Sequence, residues 1–322
     1  MPSQRPTSRL DRLGRQVRYR TESAIVDGLS VLAGVASPRV RQGIGTALGT
    51  VMWAVDARHR RVARDNVRLA YGDTMSPREA RRLVLGSMRH FATLAVETLA
   101  FERYLAEKVD ARVRVEGFEH LREAYARGHG VIGFTGHLGH WELLSFMFGR
   151  LGIPATGIAR PLDNPYLEAR LVRLRTLSGN RVINRRGAFR EALAVLQGGG
   201  FVGIWIDQRP KRGGVLVPFF GHGAYTTDGL ARLALDSEAA VVPCFAVHEA
   251  DGSWRMVIEP EVPVVRTGEF EADRYRITAD CTAILERWVR RYPAQWLWTH
   301  RRWAIPAQSA HATPTTQRGH AS

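Results

Sequence analysis

Apolar positions follow two regimes along the chain. From residue 21 to about 105 they recur at helical spacing, and two stretches are nearly uninterrupted. AIVDGLSVLAGVA (24–36) is apolar apart from Asp27, and GIGTALGTVMWAV (43–55) carries no charge. Each is 13 residues long, short of the roughly 20 a spanning helix needs. Pro38, Arg39 and Arg41 separate them. The pair reads either as core helices or as an interfacial anchor whose flanking arginines face anionic headgroups. Ser76, Pro77 and Glu79 form a capping box with proline in the first turn. The helix behind it presents Leu83, Phe91, Leu94 and Ala95 on one face.

From about 110 the period changes, and short apolar runs alternate with amphipathic stretches. Strands are predicted at 112–117, 131–135, 153–159, 201–206, 240–248 and 254–260, with a short strand-like VIN at 182–184. VLVPFF (215–220) is short and extended. Helices are predicted at 121–128, 140–152, from Asn164-Pro165 to Gly179, at 187–197, from Thr226 or Thr227 to Asp236, and from Arg274 to Arg291. Such alternation predicts an α/β sheet covered by helices on its faces. Residues 1–20 are expected to be loose and basic, 21–105 helical and membrane-associating, 106–305 the α/β domain, and 306–322 a disordered tail low in apolar residues.

Composition alters this picture mainly through charge. A hydrophobic fraction of 45% and a charged fraction of 24% are ordinary for a globular chain, but a formal net charge of +15 is not. Lys108 and Lys211 are the only lysines, so the surplus is almost all arginine. It points to an anionic partner: a membrane, a phosphorylated substrate or nucleic acid. The arginines are spread along the chain without a recognition module, which argues against nucleic acid. Cys244 and Cys281 are too few for a disulfide framework and read as reduced core residues. Six arginines between residues 5 and 20, with no clean apolar region and cleavage site after them, argue against a secretory signal.

The candidate chemistry lies in GVIGFTGHLGHWELLSF (130–146). GHGVIG (128–133) has the form of a dinucleotide fingerprint but falls before and inside the strand, so a phosphate-cradling loop is excluded. His137, His140 and Glu142 lack the spacing of a zinc site, and no nucleophile elbow occurs. A general base fits better. Gly136 permits a turn, and His137 then lies at the strand's carboxyl end, where open α/β sheets hold ligands. Glu142 falls in the first turn of the next helix and can meet His137 from there, fixing the tautomer so that the other ring nitrogen takes a proton. A helix-start histidine beside a solvated glutamate fits the same spacing.

His137-x-x-x-x-Glu142 after a strand resembles the first block of the glycerolipid and lysophospholipid acyltransferases. RPLDNPYLE (160–168), INRRGAFREAL (183–193), DQRPKRGGVLVPFFG (207–221), TTDGLARLA (226–234) and YPAQWLWTHRRW (292–303) resemble, in order, later blocks of the bacterial lipid A lauroyl/myristoyl acyltransferase family. ARHRRVARDNVRLAYGD (57–73) resembles the stretch before its core. The resemblance covers roughly residues 25–305. It implies a glycerolipid acyltransferase-like mixed sheet and transfer of an acyl chain from a thioester to a hydroxyl of a membrane glycolipid at the cytoplasmic face of the inner membrane. The donor would be acyl carrier protein or coenzyme A, with no metal and no other cofactor. His137 would be the base, and Glu142 would orient it. Arg160, Arg185, Arg186 and Gln208 would bind substrate, and Asp207 would support His137 or bind a sugar hydroxyl. Trp296, Trp298 and Trp303 would sit at the membrane interface or in the core. LGHW (138–141), between His137 and Glu142, is closer to the L-G-N-W of relatives that acylate other lipids, including phosphatidylinositol mannosides.

Overall fold

The computed structural model describes residues 9–108, 112–185, 187–211, 213–249 and 251–303. Four helices come first: α1 (Arg9–Val35), α2 (Pro38–Val55), α3 (Ala57–Tyr71) and α4 (Pro77–Lys108). Helix α1 thus starts well inside the stretch expected to be loose; arginine is a good helix former, and Arg18 pairs with Glu22 one turn on. Residues 1–8 and the tail at 306–322 lie outside the described residues. The capping box forms: Glu79 Oε2 accepts from the Ser76 backbone N–H at 2.9 Å, and Ser76 Oγ accepts from the Glu79 N–H at 3.3 Å.

Helix α2 packs onto α4 at glycine. A Cβ on Gly45 would stand 2.3 Å from Thr93 Cα, and one on Gly49 would stand 2.4 Å from Arg89 Cα, so the two backbones meet where only glycine fits. Arg41 is buried and donates to the carbonyls of Ala33 and Ala36, closing the end of α1. The opposite faces of α1 and α2 stay bare: Leu29, Leu32, Val35, Ile44, Leu48 and Val51 are all exposed. No helix among the described residues is long and apolar enough to cross a membrane.

The rest is a mixed sheet in the order β1 (Val113–Glu116), β9 (Trp254–Ile258), β8 (Ala240–His248), β2 (Val131–Thr135), β5 (Phe201–Trp205), β3 (Ala155–Ala159), β4 (Arg181–Asn184). Neighbours are parallel except β8 and β9. Helices α5 (Phe118–Ala126) and α6 (Trp141–Arg150) share a core with Val131, Phe201 and Val242 on one face of the sheet. Helices α8 (Ala188–Gln197), α9 (Gly229–Asp236) and α10 (Phe270–Arg291) share another with Ile132, Phe134, Val202 and Ile204 on the opposite face. Helix α7 (Pro165–Thr176) starts at Asn164, whose Oδ1 accepts from the N–H groups of Tyr166 and Leu167. One strand is additional to the sequence reading: β7 (His222–Thr226) folds back on β6 (Val215–Phe219) as a separate hairpin.

The closing segment binds the helical and sheet regions together. Trp296 and Trp298 are buried in the core, not at a surface, and Trp303 packs against Phe219. Asn66 on α3 donates to the carbonyls of Trp298 and His300, and Ser87 on α4 donates to that of Trp296. Arg302 is fully buried, donates to Tyr225 O and lies 5.1 Å from the Phe219 ring centre. Because Trp298 sits where both regions meet, Trp298→Ala is expected to cost about 3–5 kcal/mol of unfolding free energy. Asn66→Ala is expected to cost about 1–3 kcal/mol by taking the side-chain donor away from the carbonyls of Trp298 and His300. Chemical denaturation measures both.

Candidate active site

Strand pairing builds the site. Strands β2 and β5 run parallel with Thr135 opposite Trp205, and the Ile206 N–H continues the ladder to Thr135 O at 3.0 Å. Two residues further on, His137 and Asp207 leave adjacent strand ends side by side. Asp207 is buried and His137 about 20% exposed. The chain can turn here because Gly136 has no side chain: a Cβ there would stand 2.7 Å from Leu285 and 3.1 Å from Asp207 Oδ2. Gly139 turns with φ +61°, and a Cβ on it would strike Ala246 O at 1.8 Å. The loop is then tied down at both sides. The Gly139 N–H donates to Gln295 O, His140 N–H to Ala246 O, and Leu297 N–H to His137 O.

Asp207 is the carboxylate that bonds the His137 ring. Its Oδ1 lies 2.7 Å from His137 Nδ1, and its Oδ2 accepts from the His137 backbone N–H at 2.6 Å and from Trp296 Nε1 at 3.0 Å. With Nδ1–H pointed at Asp207, Nε2 carries a lone pair toward the cleft, 3.3 Å from Gln208 Nε2. Burial pushes the imidazole toward its neutral form, but the charge and hydrogen bond of Asp207 outweigh burial and raise its pKa above the usual histidine range. Burial likewise works against the Asp207 carboxylate, yet His137 and the donors around it hold its pKa down to about 2.

Glu142 is in a different place from the one the spacing suggested. Its buried carboxylate takes both forks of Arg175, Nε to Oε2 at 3.0 Å and Nη2 to Oε1 at 2.6 Å, and accepts from Trp141 Nε1 at 3.2 Å. The expectation that Glu142 bonds the His137 ring is therefore corrected. The start of α6 turns that carboxylate toward α7, where Arg175 satisfies it, and the Nδ1 bond goes to the neighbouring strand end. His140 is a structural group. It is buried, its Nδ1 accepts from the Leu143 N–H to cap α6, and burial beside His90 and His248 pushes its pKa down to about 3.

His137 opens on a cleft of about 480 Å³. Its walls include Arg160, Arg175, Arg181, Arg185 and Arg209 together with Gln208, and Glu142 is the only acid lining it among the described residues. Arg160 is exposed and pairs with Asp163, and Arg185 is exposed. The cleft thus brings together His137, Glu142, Arg160, Arg185 and Gln208, with Asp207 behind the imidazole. Arg186 lies outside the described residues. Arg175 and Arg181 escaped sequence reasoning because nothing local distinguishes them from other helix and strand arginines. Five guanidinium groups around one imidazole suit an anionic ligand. Among the described residues, no cluster of histidine, cysteine and carboxylate side chains is arranged to hold a metal ion.

The Asp207 contact favours charged His137. That contribution to stability is full below about pH 6.5 and is lost as the pH rises through the raised value. Asp207→Asn removes the charge and leaves burial dominant. The His137 pKa, followed by NMR, is then expected to move from above the ordinary range to below it. An unchanged value would separate the two groups.

The bacterial lipid A biosynthesis acyltransferase model matches residues 11–304. A lipid A biosynthesis palmitoleoyltransferase from Escherichia coli (strain K12) is 29% identical over 80% of this chain and 83% of its own length. The lauroyltransferase of the same organism is 27% identical over the same shares. A phosphatidylinositol mannoside acyltransferase from Mycolicibacterium smegmatis is 28% identical over 62% of this chain and 64% of its own. The chain belongs to the bacterial lipid A biosynthesis acyltransferase family and is an acyltransferase.

Proposed function

We propose that this acyltransferase moves a fatty acyl chain from a thioester, carried by acyl carrier protein, to a hydroxyl of a lipid A precursor or a related glycolipid. The observation that carries this reading is the His137–Asp207 pair at the wall of an arginine-rich cleft. The acceptor oxygen attacks the thioester carbonyl while its proton passes to His137 Nε2. The charge of Asp207 favours the imidazolium so formed. The tetrahedral intermediate collapses, the carbon–sulfur bond breaks, and the departing thiolate takes the proton back from Nε2. No acyl-enzyme is required. Glu142 acts as a positioning residue that holds Arg175 at the cleft, and Arg160, Arg185, Arg186 and Gln208 bind the acceptor's phosphates and hydroxyls.

We read α1 and α2 as a membrane-lying surface on the cytoplasmic face of the inner membrane. Their bare leucine, isoleucine and valine side chains and the arginines beside them suit a bilayer with anionic headgroups. A mannosylated phosphatidylinositol is the second acceptor class that fits, because LGHW between His137 and Glu142 is closer to relatives acting on other lipids, and a phosphatidylinositol mannoside acyltransferase is among the similar proteins.

Two measurements test the reading. Purified protein supplied with acyl carrier protein thioesters and tetraacyl lipid A precursor, lysophospholipid, lyso-ornithine lipid or mannosylated phosphatidylinositol is expected to acylate one class. His137→Ala is expected to lower that rate about 10²–10⁴-fold, and full activity in this variant would overturn the mechanism. In flotation with phosphatidylglycerol vesicles the protein is expected to rise with the lipid. The double variant Leu32→Asp with Leu48→Asp is expected to stay at the bottom, and flotation unaffected by these charges would remove α1 and α2 from the membrane contact.

A further inference from the structure

The closing segment reaches both strand ends that carry the site. Just past β2, His137 O accepts from the Leu297 N–H at 3.1 Å. Just past β5, Asp207 Oδ2 accepts from Trp296 Nε1 at 3.0 Å. A third bond lies further along the same exit from β5: the Arg209 backbone N–H donates to His300 Nε2 at 3.1 Å. The first two bonds hold the His137–Asp207 pair. The third falls instead on an arginine that lines the cleft.

Arg209 lies beyond the strand ladder. Strand β5 ends at Trp205, and the Ile206 N–H still bonds to Thr135 O. Pro210 follows Arg209, brings no N–H of its own and biases Arg209 toward extended backbone. The ring of His300 takes the place that a neighbouring strand's carbonyl would fill. His300 is itself held: its carbonyl accepts from Asn66 Nδ2 at 2.6 Å and from the Arg302 N–H at 2.8 Å. To accept from Arg209, the ring must carry its proton on Nδ1 and leave Nε2 bare. Burial keeps its pKa below the usual histidine range, helped by His137, Arg302 and Arg209 and opposed by Asp207.

The guanidinium placed by this bond is open to a ligand. Arg160 pairs with Asp163, and Arg175 pairs with Glu142. Arg209 Nε is buried with no hydrogen-bond partner among the described residues. Buried donors are rarely left so, and a guanidinium held at a cleft wall suits a phosphate oxygen.

We propose that His300 is a positioning residue: by accepting from the Arg209 N–H it fixes the turn after Asp207, so that the Arg209 guanidinium meets a phosphate of the bound substrate. The proposal rests on the acyl-transfer reading for the source of that phosphate. The acceptor's headgroup and the phosphodiester arm of a carrier thioester share this chemistry, and they are separated by whose KM moves.

The test uses the full chain with His300→Ala, His300→Gln, Arg209→Ala and the double variant His300→Ala with Arg209→Ala. Glutamine brings an amide oxygen that can accept the same N–H. By NMR, the Arg209 amide is expected to be protected from exchange in the wild type and in His300→Gln, and to exchange about tenfold faster or more in His300→Ala. Inorganic phosphate, titrated while the amide of residue 209 is followed, is expected to bind about tenfold more weakly in His300→Ala and in Arg209→Ala. In transfer assays, the KM for acceptor or for thioester is expected to rise about tenfold in both single alanine variants, with kcat within about threefold, and to recover in His300→Gln. The double variant is expected to be no worse than Arg209→Ala, because His300 acts through Arg209. Thermal melting identifies variants that have not folded, and His300→Phe, which keeps a ring and cannot accept, replaces His300→Ala if that variant is one of them. The proposal is overturned if His300→Gln is as impaired as His300→Ala, if the penalties add in the double variant, or if kcat falls at unchanged KM. If no acceptor is acylated, the amide and phosphate measurements decide the proposal by themselves, and the failure belongs to the reaction.

Discussion

The pairing of β2 with β5 is the constraint on which the site depends. A parallel pair fixed at Thr135 and Trp205 delivers His137 and Asp207 to the same edge of the sheet, without either residue having to reach. A shift of one position would turn every side chain of the strand to the opposite face and separate the buried carboxylate from the imidazole. That register is held by cores on both faces of the sheet, so the energy that positions the imidazole is hydrophobic burial far larger than any single hydrogen bond at the site.

A buried carboxylate is costly unless its lone pairs are satisfied. Asp207 meets that condition through His137 on one oxygen and through the His137 N–H and Trp296 Nε1 on the other. The indole comes from a closing segment that Asn66 and Ser87 hold from the first helices. Helices α3 and α4 are thus part of the scaffold of the site. The bare apolar faces belong to α1 and α2, and α2 joins this scaffold through its glycine contact with α4.

Much of the fold was legible in the sequence because its signals are local. The alternation of short apolar runs and amphipathic stretches located the strands of the main sheet, and the capping box and the Asn164 start marked helices that form where expected. The β7 strand was not legible, since HGAYT is weakly apolar and pairs only within its own hairpin. At the site, His137 stood out by its position after a buried strand. The partner of its ring did not, because strand order is non-local. A carboxylate five residues away was more conspicuous than one seventy residues away, although the sheet brings the distant one to 2.7 Å. The Glu142–Arg175 pair was hidden for the same reason, as it joins two helices through space.

The central claim is that Asp207, not Glu142, makes His137 a base. Acyl-transfer kinetics of Asp207→Asn and Glu142→Gln, measured side by side, test it most directly. An asparagine amide can donate to Nδ1 and turn the reactive nitrogen into an N–H. Asp207→Asn is therefore predicted to lose roughly 10²-fold or more in kcat with little change in KM, while Glu142→Gln mainly raises KM by loosening Arg175. The reverse pattern, with kcat collapsing in Glu142→Gln and surviving in Asp207→Asn, would contradict the account.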